Sequence, residues 1–384
     1  MSAPPPPPTD HSSTDPSLTD PAAHGPHPSH VRAEIAARSI ASIFGGSLLS
    51  VPGTHLARCV RPGARVVEAH WNYWWQAHYL DAVVDVGRRR LRVGQRSGAA
   101  GWAVRGRRLL RTIWLRNGGR WRNSYYDDMA WLALAADRLA ALAADAGLPP
   151  DRWSARAVGR LTDVLRQGDT DDLGGGVFWT VGRDRKNVPA SGPAAIHFAR
   201  RGDRARARAL LAWIEGTMRD PETGLILDSL FVDGHRDDTI YTYNQGVTLG
   251  ALLEVGDPEH LTRAAELIHI VDATQRSAHQ APVLRAHGDG DGGLFTGILC
   301  RYLALAARDG RLDEEARAAA AGLVDGTADA LWAGRIPRGP ADATPVFSPD
   351  PATPAAAWRG AGAPLELTPQ LQAWTILEAA ATLR

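Results

Sequence analysis

The stretch Tyr125-Tyr126-Asp127-Asp128-Met129-Ala130-Trp131-Leu132-Ala133-Leu134-Ala135 follows a polar turn, Gly118-Gly119-Arg120-Trp121-Arg122-Asn123-Ser124. From Met129 onward the polar turn gives way to an apolar run, and the pattern predicts a helix over 125–146. Two adjacent carboxylates fall in its first turn, ringed by Tyr and Trp. One reading is a helix start: Ser124, three residues before Asp127, fits a variant of the capping box, and acids favour the positive end of a helix dipole. The other is an acid and a nucleophile for cleaving a glycosidic bond. Caps far outnumber catalytic pairs, so the rest of the chain must decide between them.

Outward from this stretch the same pattern recurs. Alanine and larger apolar residues return at three- and four-residue intervals, broken by Gly, Pro or Asp, as at Gly147-Leu148-Pro149-Pro150-Asp151 and Gly256-Asp257-Pro258. The spacing predicts helices over 31–49, 66–87, 98–114, 125–146, 151–166, 190–201, 203–219, 241–254, 257–275, 293–308, 312–332 and 368–383. β-Branched alternation is scarce. Val177-Phe178-Trp179-Thr180 and Leu225-Ile226-Leu227 suit small hairpins on loops, with no sheet core. Twelve helices joined as hairpins without a linker predict an all-α chain with one folded domain over 31–384, an (α/α)6 barrel of six inner helices ringed by six outer ones. A helical solenoid is the competing architecture, and the lack of a fixed-period repeat counts against it. Residues 1–30 are Pro, Ser, Thr, Asp and His with little to bury, and read as a disordered tail whose histidines are low-complexity sequence and not a metal site.

The balance of 43 basic and 42 acidic residues leaves a formal net charge of +1. No global field draws nucleic acid or an anionic membrane. The Arg-dense runs Arg88–Arg92 and Arg105–Arg111 lack the aromatic interleaving of a nucleic-acid groove and read as solvated helix faces. Cys59 and Cys300 make neither a disulfide framework nor a metal-type spacing, and Cys300 falls in an apolar helical run, where a buried thiol is expected. No apolar run approaches the ~18 residues needed to span a bilayer. Without a basic n-region and an apolar h-region the chain as written points to the cytoplasm, an extracellular location staying open if the true start lies elsewhere.

Three long non-helical stretches run over 167–190, 220–240 and 334–368. Long loops in a compact domain usually line a site or are disordered. The third is Pro- and Ala-rich and reads as a surface excursion; the first two carry aromatic, amide and acidic residues, which puts the site on their side. Trp71-Asn72-Tyr73-Trp74-Trp75-Gln76-Ala77-His78 is dense in rings suited to the apolar faces of sugars, although Trp at helical spacing more often serves the core. Gly174-Gly175-Gly176-Val177-Phe178-Trp179 lacks the Gly-Lys-Ser/Thr ending of a phosphate loop. Asp184-Arg185-Lys186-Asn187 holds the only lysine of the chain; either a point charge is needed there or chance placed it. Tyr241-Thr242-Tyr243-Asn244-Gln245-Gly246 suits several hydroxyls at once, or is an ordinary helix start. Asp291-Gly292-Gly293-Leu294-Phe295-Thr296-Gly297 opens another helix, which Asp291 would cap. No His-Glu-x-x-His, no paired histidines and no Gly-x-Ser-x-Gly elbow occur, so neither a metal nor a serine nucleophile is expected.

These pieces, in this order from Trp71 to about Leu303, resemble glycoside hydrolase family 76, the α-1,6-mannanases. The resemblance rests on the Tyr-Tyr-Asp-Asp stretch with Trp131, Gly174–Trp179, Lys186-Asn187, Tyr241–Gly246 and Asp291–Gly297. It implies an (α/α)6 barrel, no cofactor, a monomer, and a mannose-containing oligo- or polysaccharide as partner. It also implies a retaining hydrolase of α-1,6-mannosidic linkages, acting within the chain. By match to the motif, Asp127 attacks the anomeric carbon, and Asp128 protonates the leaving oxygen and then activates water. Trp75, Tyr126, Trp131, Trp179, Lys186, Asn187, Tyr241, Tyr243, Asn244 and Gln245 are the implied sugar-binding residues. Two positions depart from the pattern: Ser191 stands where an Asn is expected and Thr296 where a lysine is expected. Physical chemistry is compatible with the implied mechanism. Retention needs carboxyls about 5–5.5 Å apart, one ionised and one protonated. Neighbours on a helix project ~100° apart and can reach that gap, and their repulsion raises one pKa.

Other functions fit parts of the pattern. A transglycosidase would share the covalent intermediate and differ in how well its acceptor site excludes water. A sugar epimerase or unsaturated-uronide hydrolase could occupy the same fold, but an epimerase would want paired histidines. A carbohydrate-binding barrel without turnover would tolerate Asp127→Asn with its affinity unchanged.

Overall fold

The computed structural model describes residues 27–61, 71–278, 282–338, 344–358 and 364–384. Thirteen α-helices follow one another: α1 Pro28–Ile43, α2 Tyr73–Arg92, α3 Arg96–Arg116, α4 Tyr126–Asp145, α5 Arg152–Gly168, α6 Val188–Arg200, α7 Arg204–Trp213, α8 Thr242–Val255, α9 Pro258–Thr274, α10 Phe295–Ala307, α11 Glu314–Ala333, a one-turn α12 Ala355–Trp358, and α13 Leu367–Ala381. Packing closes a ring: α2 contacts α4, α4 contacts α6, and so on through α8, α10 and α13 back to α2. Each ring helix is backed by one outer helix, with α1 behind α13 and α3, α5, α7, α9 and α11 behind the others. This is the (α/α)6 barrel that the helix count predicts.

Burial follows from the layers. Inner helix α13 is buried along its whole length, Leu367–Ala381, and α8 over nearly all of it. Outer helices α5 and α9 bury a single stripe. Inner helices approach closely where glycine allows it. A Cβ on Gly246 would come within 2.9 Å of the Leu299 Cα, a backbone atom that has no room to give.

Seven short strands decorate the barrel: β1 Gly45–Gly46 with β2 Leu56–Ala57, β3 Val60–Arg61 with β7 Leu365–Glu366, and a three-stranded antiparallel sheet of β4 Arg185–Asn187, β5 Ser229–Phe231 and β6 Arg236–Asp237. The last joins the two long loops that the sequence marks as site-bearing. Phe178 bridges to Lys186 of that sheet, Val177 and Thr180 bridge to Asp169 and Tyr125, and Ile226 pairs with Arg219 across a small hairpin. Buried glutamines tie loops to the inner helices. Gln76, Gln245 and Gln370 each bond both the N–H and the C=O of one loop residue, respectively Ala57, Ile226 and Phe347, at 2.8–2.9 Å.

Several expected boundaries move. The first helix ends at Ile43 and not at 49, because Gly45-Gly46 leaves the helix to pair with Leu56-Ala57. It also begins inside the expected tail, where His27 caps it by accepting from the Ser29 N–H; residues 1–26 of that tail lie outside the described residues. The second helix starts at Tyr73, after an extended Asn72, and 62–70 are likewise outside. The seventh gives way at Ile214 to a wider π turn through Met218. The 334–368 stretch is more than a surface excursion, since Phe347 is fully buried there. The Arg88–Arg92 run is not simply solvated: Arg89 is buried and bonds Glu378 and Glu34. Cys59 and Cys300 are buried free thiols. Among the described residues no helix is long and apolar enough to cross a membrane, and no group of His, Cys, Asp or Glu is arranged to hold a metal.

Candidate active site

The N-terminal ends of five inner helices, α2, α4, α6, α8 and α10, meet around one open cleft of about 1090 Å³. Their aligned peptide dipoles make this the positive end of the barrel, and carboxylates collect there: Asp127, Asp228, Asp237 and Asp291 line the cleft. Trp74, Trp131, Trp179, Tyr241, Tyr243 and Phe295 supply its rings. Tyr243 and Phe295 stack with centroids 4.0 Å apart. The lining is therefore both flat-apolar and rich in hydrogen-bond acceptors, which suits a polyhydroxylated ring.

The backbone around Asp127 is fixed by pairing. The Tyr126 N–H donates to the Trp179 carbonyl at 2.8 Å and the Val181 N–H to the Ser124 carbonyl at 3.0 Å. This brings the Trp179 indole N–H to 3.0 Å from Asp127 Oδ2. Asp127 Oδ1 accepts from the Asp128 backbone N–H at 2.9 Å. Asp128 Oδ2 accepts from Asn123 Nδ2 at 2.5 Å, while Asn123 Oδ1 accepts from the Tyr125 N–H at 2.9 Å. The capping box is not formed, since Tyr125 is the N-cap of α4 and makes no side-chain cap bond. Asp127 thus accepts one first-turn N–H of α4, and the pair is held besides by Trp179 and Asn123.

Shielding from solvent dominates the protonation of both acids. Burial pushes Asp127 up to about 7, and nearby Asp228 adds to this, while the N–H donors of Asp128 and Trp179 oppose it. Asp128 is raised well above the ordinary carboxyl range, by burial and then by the charge of Asp127, with Asn123 opposing. Two donors therefore favour an ionised Asp127, and a neighbouring charge favours a protonated Asp128.

Six residues from the sequence-based set line the cleft: Asp127, Trp131, Trp179, Asn187, Tyr241 and Tyr243. Asn187 also caps α6, its Oδ1 accepting from the Ala190 N–H. Asp128 and the other five do not line the cleft. Lys186 is fully buried; its Nζ donates to the carbonyls of Thr170 and Gly175 at 2.5 and 2.8 Å. It anchors the loop that turns through Gly174, Gly175 and Gly176, all at positive φ. Gln245 is fully buried on Ile226. Asn244 is also buried and donates to Asp228 at 2.9 Å, so it reaches the cleft only through that acid. Tyr126 is buried against Gly168. Trp75 is nearly buried, and its indole donates to Asp291 at 2.7 Å, as Trp74 does at 3.0 Å. Asp291 hence receives two indoles and lies in a short 3-10 turn, Gly290–Leu294, where no side-chain cap bond forms. The two departures from the family pattern are both fully buried. Ser191 accepts from the Val177 N–H and Thr296 donates to the Arg285 carbonyl, so neither lines the cleft.

Sequence reasoning missed Trp74, Arg185, Asp228, Asp237, His287, Phe295 and the positioning role of Asn123. Asp228 carried a signal: it ends the apolar run Leu225-Ile226-Leu227 in a loop already marked as site-bearing. Arg185 lies over Trp179 at 3.8 Å and Phe231 at 4.9 Å. His287 is the one histidine lining the cleft among the described residues. Burial and Arg285 bring it down to about 4, and its Nε2 accepts from the Thr242 N–H at 3.2 Å.

No curated protein matches the chain. The α-1,6-mannanase GH76A of Salegentibacter sp. HEL1_6 is 28% identical with a TM-score of 0.77, the match covering 93% of this chain and 100% of that one. An inactive variant of the same enzyme, with two consecutive aspartates replaced by asparagine, is known in complex with α-1,6-mannotriose and matches at 27% identity, TM-score 0.77, with the same coverage. The Lin0763 protein from Listeria innocua shares the fold at 22% identity and TM-score 0.74, over 92% of this chain and 97% of that one. The family model of glycosyl hydrolase family 76 matches residues 55–342, three quarters of the chain, and the protein belongs to that family.

Proposed function

We propose that this glycoside hydrolase cleaves α-1,6-mannosidic linkages with retention of configuration, Asp127 acting as nucleophile and Asp128 as acid and base. The observation that carries the reading is an adjacent carboxyl pair at an aromatic, acceptor-rich cleft, Asp127 in its lining and held by two N–H donors, Asp128 next to it and held by Asn123. The inactivity of the Salegentibacter variant lacking two consecutive aspartates supports it.

In the first step the Asp127 carboxylate attacks the anomeric carbon while Asp128 gives its proton to the departing glycosidic oxygen. The bond to that oxygen breaks and a glycosyl ester on Asp127 forms. Asp128, now ionised, takes a proton from water, whose oxygen attacks the same carbon and frees Asp127. The Trp179 N–H and the Asp128 backbone N–H stabilise the Asp127 carboxylate before attack and after release. Asp228, held by Asn244 and by Ser229 Oγ at 2.7 Å, offers an acceptor for substrate hydroxyls, and the Trp131 and Trp179 rings offer faces for the sugar.

The test is product release from α-1,6-mannan and mannooligosaccharides by the wild type, Asp127→Asn and Asp128→Asn. Short products from the wild type, with both variants down by about 10³-fold or more, are expected. An intact Asp127→Asn rate would sink the assignment. Release of transfer products longer than the substrate would instead make the protein a transglycosidase using the same pair.

A further inference from the structure

The other end of the barrel, where the inner helices finish, holds a second cavity, about 1050 Å³ with the open solvent at its mouth included. Trp131 lines both cavities and forms part of the partition between them. Six arginines line the second one, Arg88, Arg92, Arg138, Arg200, Arg301 and Arg308, against three acids, Asp81, Asp85 and Glu378. Most of these charges are matched. Arg138 and Arg301 share Asp81 and Asp85. Arg88 pairs with Asp145, Arg200 with Glu254, and Glu378 with Arg89. No ion pair within 4 Å involves Arg92 or Arg308 among the described residues. Burial, and then the charge of Arg308, lower the Arg92 guanidinium from its ordinary value, with Glu378 and Asp85 opposing.

Arginine is favoured at helix C-termini by the dipole, and that accounts for one guanidinium per helix on an open face. It does not account for two unpaired guanidiniums lining the same cavity. Nor does it account for the inner end of the cavity. There His78 is 5% exposed, its Nε2 has no hydrogen-bond partner, and its ring lies 4.6 Å from Trp131. Burial holds this imidazole neutral, at about 3, so it is free to donate to or accept from a hydroxyl. His78 and Arg92 both lie on α2, 14 residues apart, or roughly 21 Å of helix before the inward reach of the arginine is subtracted. A single inorganic oxyanion does not span that separation. The wall between, with carboxylates, guanidiniums, Trp131 and Tyr302, has the mixture that binds sugar hydroxyls and faces.

We propose that this basin is a second binding site, for a phosphorylated sugar whose phosphoryl group sits between Arg92 and Arg308 and whose sugar points inward toward His78. Free phosphate shares the phosphoryl chemistry and would use the rim alone. The site is separate from the cleft, whose carboxylates repel such a ligand.

The experiment is calorimetric titration of the full-length protein, in 150 mM-range chloride to screen unspecific binding, with glucose 6-phosphate and with inorganic phosphate. Wild type and Arg92→Gln/Arg308→Gln are compared, and mannan cleavage is followed in parallel. Saturable binding of glucose 6-phosphate at one site, at least tenfold tighter than phosphate, is expected. The double variant should lose at least tenfold in affinity with cleavage unchanged. Equal affinity for the two probes would overturn the inward sugar pocket and leave a phosphate site. No saturable heat with either probe, or an unaltered double variant, would overturn the site altogether.

Discussion

At the residue scale the account turns on two carboxyls made unequal by what surrounds them. With Asp127 brought up to about 7 and Asp128 raised well above the ordinary carboxyl range, hydrolysis should fall as the pH drops below about 7, because the nucleophile is then protonated. A pH–rate profile of kcat/KM checks this, and an acid limb near pH 4 would contradict it. The same shifts act on stability. An acid whose folded pKa lies above its unfolded value holds its proton better when folded, so stability is lost as the pH rises from about 4 towards 7. Asp127→Asn should accordingly stabilise the protein at pH 8, by about 1–2 kcal/mol, with the gain shrinking towards pH 4 in thermal unfolding. Asn123 is the residue that aims Asp128. Its Oδ1 is taken by the Tyr125 N–H, so its Nδ2 must face the acid. Asn123→Ala should slow turnover about 10–100-fold and shift the basic limb of the profile upward; a lower rate with an unchanged limb would make Asn123 merely structural. That Asp127, Trp131 and Trp179 share one cleft was legible in the sequence because acids among rings at a helix start are rare. The buried use of Lys186 on the Thr170 and Gly175 carbonyls was not, because nothing local distinguishes it from a sugar contact.

At the scale of elements, the loops carry the site and buried amides carry the loops. Gln245 satisfies both backbone groups of Ile226, two residues before Asp228. Gln245→Ala leaves a buried N–H and C=O unpaired and should destabilise by about 2–3 kcal/mol, while loosening Asp228 enough to raise KM; denaturant unfolding and mannan kinetics read the two effects. Such a link is invisible in sequence, because a glutamine inside an apolar helix reads equally well as a sugar ligand. Helix existence was legible because the apolar period is strong. The ends were less so, since Gly45-Gly46 and Asn72 leave their helices for partners far along the chain or for extended backbone, and no local pattern encodes that choice.

At the scale of the molecule, the barrel is polarised. Inner helices run parallel, so their positive ends gather carboxylates around the cleft and their negative ends gather arginines at the opposite mouth. Between the two lies the quartet Asp81, Asp85, Arg138 and Arg301. Burial alone would push Asp81 up, yet Arg138 and Arg301 hold its carboxyl below the ordinary range. Removing one cation strands a charge in the barrel axis, and Arg138→Met should cost about 3–5 kcal/mol, measurable by chemical denaturation. The number of helices and their hairpin order were legible, and with them the barrel; the convergence of Asp228 on Asp127, a hundred residues apart, was not, because ring closure is a property of the whole chain. The most direct test of the central claim, that the adjacent pair works by double displacement, is the configuration of the first sugar released, followed by proton NMR during cleavage of an α-1,6-mannooligosaccharide. The account predicts the α-anomer first, turning over to the β-anomer only by mutarotation, and a β-anomer formed first would contradict it.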